Sequence, residues 1–163
     1  MPIRTHIDEP AMTARPLTPA EEAIARSVFG NAIDYARVRV NNRKWWPFQH
    51  RRMAMAPDGE LWFNPRGSLY CDDFCERSID RQGLFIHEMT HVWQHQQGVN
   101  LLLRRHPFCR YDYTLKPGWT LERYGIEQQA EIARHVFMLR AGERVPGAPP
   151  LDQYDGVLPF HPV

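Results

Sequence analysis

The sequence has no long apolar run. No stretch of its 163 residues approaches the roughly 20 apolar residues that span a bilayer, so no membrane span is predicted. The amino terminus, MPIRTHIDEPAMTARPLTP, also lacks the apolar centre of a signal peptide. We expect residues 1–17 to form an extended, proline-broken arm, and any export to use another route than an amino-terminal signal.

An excess of charge of one sign is missing as well. The chain has 20 Lys and Arg against 19 Asp and Glu, which gives a net charge of +1. This balance argues against a nucleic-acid-binding surface. The arginine pairs Arg51-Arg52 and Arg104-Arg105 are predicted to be solvated surface.

Cysteine is scarce. With 3 cysteines, at least one thiol is unpaired within the chain. The C-x3-C spacing of Cys71 and Cys75 is typical of half a zinc site, but no second Cys pair completes it. Three reduced thiols are favoured, and a disulfide from Cys109 to the Cys71/Cys75 segment is the alternative.

The length and composition predict one domain over residues 1–163. Thr18, Pro19 and Glu21 form a capping box at the start of a first helix, which Gly30 ends. Two more helices are predicted, one from about 78 or 80 to 97 and one from between 120 and 126 to about 141. The proline-rich residues 143–163 are expected to wrap the surface without regular structure.

Residues 36–64 carry the strand signals. RVRV is predicted to be one strand, and MAMAPDGELWF a hairpin that turns at Pro57-Asp58-Gly59. Residues 99–119 are expected to be a long irregular crossing. The fold class is therefore α+β, with a small antiparallel or mixed sheet packed on the helices.

The chemistry is concentrated in LFIHEMTHVW, residues 84–93. On a helix, His87 and His91 lie one turn apart on the same face, where both imidazoles can bind one zinc ion. Glu88 lies about 100° around the helix from His87, where a general base would take a proton from water at the metal. The apolar flanks predict a buried helix, in which two histidines and a glutamate need partners.

A catalytic zinc of this type needs a third protein ligand. An extended HExxHxxGxxH motif is excluded, because Gln94 and Gln97 stand at its glycine and histidine positions. His95 lies about 12 Å along the helix from His87, too far to bind the same ion.

Glu127, on the last helix, is the favoured third ligand. Glu131 lies one turn later and would accept a hydrogen bond from a ligand histidine, which fixes its tautomer. Two alternatives stay open: that Glu131 is the ligand instead, or that the EQQAE run is a solvated helix face.

HExxH with a downstream glutamate helix resembles the gluzincin pattern of thermolysin-like zinc peptidases. Four stretches, MAPDGELWFNP, YCDDF, LFIHEMTHVWQHQ and YGIEQQAEI, resemble the metallopeptidase domain at the carboxyl end of some VgrG spike proteins of type VI secretion systems. The resemblance covers about residues 50 to 140. It implies a minimal zincin-like fold in which an active-site helix and a second ligand-bearing helix hold one Zn2+. His87, His91 and Glu127 would be the ligands and Glu88 the base.

The resemblance also implies an edge strand that pairs with the backbone of a protein or peptide substrate. The sequence candidate is Leu61, Trp62 and Phe63, and a plain hairpin is the alternative. For the donor that stabilises the oxyanion, Tyr113 and Tyr124 are the best candidates, and His106 and His135 are weaker ones.

The leading hypothesis is a zinc metalloendopeptidase that acts as a toxic antibacterial effector linked to type VI secretion. Its expected partners are a cognate immunity protein and a secretion spike or chaperone. It would be cytoplasmic before delivery and act in the periplasm of a target bacterium. The alternatives are an intracellular processing protease and a non-catalytic, zinc-stabilised binding protein; the retention of Glu88 speaks against the second.

Overall fold

Four α-helices and three short strands form the framework of a computed structural model that describes residues 14–105 and 109–163. The helices are α1 (Pro19–Phe29), α2 (Ile79–Gln96), α3 (Leu101–Arg104) and α4 (Ile126–Arg140). The strands are β1 (Val40–Asn41), β2 (Ala54–Met55) and β3 (Leu61–Phe63). The predicted α+β class with a small mixed sheet is confirmed.

α1 begins and ends where its sequence signals predict. The Thr18 hydroxyl accepts the backbone N–H of Glu21, and the Glu21 carboxylate accepts the backbone N–H of Thr18. Gly30 closes the helix with a φ of 55°. The same Glu21 carboxylate is fully buried and also binds Arg15 and the backbone N–H of Phe74, so the cap ties α1 to the segment that leads into α2.

The sheet has the order β1-β3-β2, with β1 parallel and β2 antiparallel to β3. The predicted hairpin is confirmed: Gly59 turns with a φ of 87°, and Asp58 accepts the indole N–H of Trp62. The strand prediction for RVRV is wrong over most of its length. Residues 35–37 form a 3-10 helix, and only Val40 lies in β1.

The prediction that Leu61, Trp62 and Phe63 form an edge strand is wrong. β3 is the central strand, and all three side chains are buried. Leu61 and Phe63 lie in the core, and Trp62 packs against Arg43. Pairing between strands distant in the chain decided this order, and no local pattern reports such pairing. In the described part of the chain, β2 occupies the edge on the side of the cavity described below.

The core joins the sheet to α2 and α4. Aromatic rings follow one another from Phe63 through Phe74 to Phe85, with centroid separations of 5.5 and 5.3 Å. α2 packs on α4 along most of its length. Gly83 permits this approach, because a Cβ there would stand 3.0 Å from the sulfur of Met138. No helix in the described residues combines the length and apolarity that crossing a bilayer requires.

Two segments that were expected to be irregular contain structure. Asn100 caps α3 by accepting the N–H of Leu103, inside the crossing over residues 99–119. The carboxyl-terminal segment forms a 3-10 helix at Leu151–Tyr154, and Tyr154, Val157 and Phe160 are buried in the core. The carboxyl-terminal segment therefore completes the core as well as covering the surface.

Much of the predicted arm over residues 1–17 lies outside the described residues. Of the described part, Arg15 forms an antiparallel bridge with Val40. The alternative disulfide is not formed, since Cys71 and Cys75 are both free thiols.

Candidate metal centre

α2 and α4 run antiparallel and bring the predicted ligands together. Contacts made by successive residues toward the carboxyl end of α2 reach residues successively nearer the amino end of α4. His87 contacts Glu131, His91 contacts Glu127, and Gln94 contacts the carbonyl of Ile126. Both helices are fixed by the core on their other sides, so the facing polar residues are held in place.

Three ligand atoms converge on one point. Oε2 of Glu127 lies 3.1 Å from Nε2 of His87 and 3.1 Å from Nε2 of His91, and the two nitrogens are 3.3 Å apart. A tetrahedral zinc with bonds of 2.0–2.1 Å has ligand atoms about 3.3 Å apart. His87, His91 and Glu127 are all buried, and together they form a group that could hold a metal ion.

Hydrogen bonds at the far side of each ring fix the tautomers. The Gln94 amide donates to the Ile126 carbonyl and to Oε1 of Gln129, so its own oxygen faces His91. That oxygen accepts Nδ1–H of His91 at 2.8 Å, and a Glu131 carboxylate oxygen accepts Nδ1–H of His87 at 2.8 Å. Both Nε2 lone pairs therefore point at the Glu127 carboxylate. Three acceptors at this spacing repel one another unless a cation lies between them.

The pKa shifts have the same origin. Burial alone would lower the pKa of His87, but its hydrogen bonds to Glu127 and Glu131 raise it to about 9. Burial would raise the pKa of Glu127, but the adjacent His87 and His91 rings lower it well below its usual range. The site thus favours a positive charge among its three ligand atoms, and without a metal a proton on His87 supplies it.

Glu131 contacts the far side of the His87 ring rather than the point where the three atoms converge. One of its oxygens binds Nδ1 of His87, and the other lies 3.1 Å from Nε2 of His135. Arg134 lies 3.6 Å from the same carboxylate. Glu127 is the carboxylate that lies at the two Nε2 atoms, so its choice over Glu131 as the ligand stays a prediction that this geometry favours. EQQAE is not a solvated face, because Glu127 and Gln129 are buried.

A cavity of about 380 Å³ opens onto the three ligand atoms. Glu88 lines it and is buried, and in the described residues its carboxylate accepts no hydrogen bond. That carboxylate is available to exchange a proton with a molecule in the cavity. The cavity is also lined by Arg52, Met53 and Ala54 at the beginning of β2, and by Arg105, Tyr111 and Arg134.

The two tyrosines chosen from sequence do not line this cavity. The Tyr113 hydroxyl contacts His135 and Tyr154, and the Tyr124 hydroxyl accepts the backbone N–H of Lys116. Their role as oxyanion donors stays a prediction. His106 lies outside the described residues.

Sequence reasoning missed three residues around the site. Tyr111 stacks on His87 with a centroid separation of 6.1 Å, and Arg105 Nε lies 3.7 Å from Oε1 of Glu127. Both side chains belong to a segment without regular secondary structure, so no periodic pattern in the sequence indicates that they line the cavity. Gln94 was identifiable, because position i+3 from His91 shares its helix face.

Comparison with known proteins gives a consistent result. No family model matches the chain. The chain is 44% identical, over an alignment of 138 residues, to the type VI secretion system spike protein VgrG2b of Pseudomonas aeruginosa; the match covers 78% of this chain and only 13% of that protein. The solved structure of the effector domain of that VgrG2b matches with a TM-score of 0.77 and 42% identity, over 90% of this chain and 85% of the domain.

Proposed function

The chain belongs to the family of the VgrG2b effector domain, and on that premise we propose that it is a toxic antibacterial effector that hydrolyses peptide bonds at a zinc site. One observation carries the proposal. Nε2 of His87, Nε2 of His91 and Oε2 of Glu127 converge at 3.1–3.3 Å beside a cavity that the buried Glu88 carboxylate also lines.

The donor set fits a catalytic rather than a purely structural metal. Two imidazoles and one carboxylate would leave one position of a tetrahedral ion for water or substrate, and the three residues that would hold the ion line the cavity. Zinc held there would supply a Lewis acid for the scissile carbonyl oxygen and would lower the pKa of a water. A structural site would have no need for Glu88, which speaks against a non-catalytic binding protein.

Glu88 is assigned the proton transfers. Its buried carboxylate would take the proton from the attacking water and deliver it to the leaving amine. Arg105 and Tyr111 are the side chains in the cavity best placed to donate to the developing oxyanion. β2, at the edge of the sheet beside Met53, is the strand to which a peptide substrate would add by backbone hydrogen bonds.

The similarity to a spike protein supports a delivery route. The matching protein is a spike protein of a type VI secretion system, so we propose delivery on or with such a spike. The chain would then act in the periplasm of the target bacterium and be neutralised in the producing cell by an immunity protein. This separates the proposal from an intracellular processing protease, which needs neither partner.

Zinc content tests the ligand set. We expect about one zinc per chain in the wild type and in Glu88→Ala, and loss of most of it in Glu127→Ala, because Glu127 supplies the third ligand atom. Glu143→Ala, at an exposed glutamate beyond the end of α4, is the matched control and should keep its zinc. Full zinc in Glu127→Ala would exclude this carboxylate as a ligand.

Growth of a susceptible bacterium tests the activity. Wild-type chain directed to the periplasm should stop growth, and chain kept in the cytoplasm should not. Glu88→Ala should be harmless in both compartments although it still binds zinc. Toxicity of Glu88→Ala equal to wild type would exclude hydrolysis that depends on this base.

A further inference from the structure

Two segments that line the cavity beside the candidate metal centre carry most of the large exposed hydrophobic side chains in the described residues. Eight large hydrophobic side chains are exposed among the described residues, and six of them lie in residues 43–53 and 102–111: Trp46, Phe48, Met53, Leu102, Leu103 and Tyr111. Phe48 and Leu103 are 80% and 82% exposed. Both segments border the same cavity, the first through Arg52 and Met53 and the second through Arg105 and Tyr111.

The same two segments are strongly basic. They contain seven of the chain's 20 Lys and Arg and none of its 19 Asp and Glu: Arg43, Lys44, Arg51, Arg52, Arg104, Arg105 and Arg110. The rest of the chain therefore has 13 basic against 19 acidic residues. No carboxylate in the described residues forms an ion pair with Arg51, Arg52 or Arg104. The net charge of +1 is therefore the sum of two strongly basic segments and an acidic remainder of the chain.

The exposed side chains stand on a preformed support. Gln49 is 3% exposed and binds the loop from inside, donating to the carbonyls of Met53 and Trp62 and accepting the N–H of Trp45. Phe48 is thus held outward beside an anchored neighbour, and its ring meets that of Trp46 edge-on at 5.4 Å. In α3, buried Leu101 anchors the turn from which Leu102 and Leu103 project.

We propose that these two segments form a docking surface for an anionic lipid bilayer, with Phe48, Trp46, Leu102 and Leu103 entering the interface and the neighbouring arginines binding lipid phosphates. Aromatic and leucine tips flanked by cations are the pattern of proteins that lie on membranes. Nucleic acid is a poorer fit, because stacking on bases uses aromatic rings and gives adjacent leucines no role. Docking would hold the cavity entrance against the membrane.

Binding to vesicles tests the surface. The full chain is sedimented with vesicles of phosphatidylethanolamine and phosphatidylglycerol (3:1) or of phosphatidylcholine alone. Binding is expected to the anionic vesicles and only weakly to the neutral ones. Arg51→Gln with Arg104→Gln should weaken binding about 30-fold, since one cation near an anionic surface contributes roughly fivefold. Phe48→Ala with Leu103→Ala should weaken it at least about tenfold.

Matched variants elsewhere on the surface are the controls. Arg37→Gln with Arg144→Gln removes the same charge, and Leu151→Ala with Val163→Ala removes exposed apolar groups outside the two segments. These should bind as wild type does. The proposal is overturned if wild type does not bind the anionic vesicles, if the controls lose as much as the test variants, or if the test variants lose binding to a DNA oligonucleotide but not to vesicles. Thermal melting and zinc content should be unchanged in all four variants, which separates this result from failure of the metal site.

Discussion

The two candidate ligand histidines donate from their second ring nitrogens to different kinds of acceptor. His87 donates to the carboxylate of Glu131, whereas His91 donates to the amide oxygen of Gln94. A carboxylate acceptor makes the imidazole the stronger electron donor of the two. Glu131 is itself held by His135, so a chain of hydrogen bonds reaches from the ligand to the Tyr113 hydroxyl.

The contribution of Glu131 can be measured by neutral substitution. Glu131→Gln keeps the size of the side chain but removes the charge that His87 faces, and we expect zinc affinity to fall about 10–100-fold. Competition with a fluorescent chelator measures this, with Glu143→Gln as the exposed control. An unchanged affinity would show that Glu131 does not support the ligand.

The coupled charges at the site also predict how pH acts on the metal-free protein. His87 has its pKa raised from 6.5 to about 9, so its stabilisation is complete below pH 6.5 and is lost as pH rises through 9. Glu127 and Glu131 have lowered pKa values, so their stabilisation is complete above pH 4.5 and is lost in more acidic solution. The metal-free domain should therefore be most stable between pH 4.5 and 6.5.

Zinc should change how the stability of the protein depends on pH above 6.5. The metal takes the place of the His87 proton, so the gain in melting temperature on adding zinc should grow from pH 6.5 to 9. Melting curves with EDTA and with zinc across this range measure the difference. A metal-free protein that becomes more stable from pH 6.5 to 9 would contradict the assignment.

At the scale of elements, the capping glutamate of α1 also joins three parts of the chain. Glu21 is fully buried and accepts from both terminal nitrogens of Arg15, from Thr18 N–H and from Phe74 N–H. Arg15 in turn donates to the Cys71 carbonyl. α1 is thereby bound to the segment before α2, so this cap supports the metal helix indirectly.

Removing that carboxylate should cost far more than an ordinary cap. Glu21→Ala leaves a part-buried guanidinium and two N–H groups without their acceptor, and we expect a loss of about 3 kcal/mol or more in the free energy of unfolding. Glu22→Ala, next in the chain, breaks only a surface pair with Arg26 and should cost about 0.5 kcal/mol. Urea denaturation measures both. Equal losses in the two variants would contradict the joining role of Glu21.

The elements differ in how far the sequence predicts them. α1, α2 and α4 are predictable within a few residues, because capping boxes, terminal glycines and apolar periodicity are local signals. The grouping of the candidate ligands is predictable as well, since one helix face carries His87 and His91 and another carries Glu127 and Glu131. The central place of β3 and the path that brings Arg105 and Tyr111 to the cavity depend on pairing and packing between distant residues, which local patterns do not contain.

At the scale of the whole molecule, the proline-rich carboxyl-terminal segment closes the core over α2. Phe160 is 8% exposed and meets Phe29 of α1 and Trp93 of α2 edge-on, each at a centroid separation of 5.0 Å. Trp93 lies two residues after the ligand His91. The segment therefore fixes the relation between α1 and the carboxyl-terminal half of α2.

Phe160→Ala tests this closure. It removes a ring from between two aromatic neighbours, and we expect the free energy of unfolding to fall by about 3–5 kcal/mol, because a cavity remains where the ring was. Val163→Ala, at a residue that is 74% exposed, should change it by less than about 0.5 kcal/mol. Guanidinium denaturation of the zinc-loaded protein measures both, and a cost of Phe160→Ala as small as that of Val163→Ala would mean that the segment only covers the surface. Because Trp93 shares a helix with His91, loss of zinc and loss of near-ultraviolet circular dichroism should occur together as Phe160→Ala unfolds.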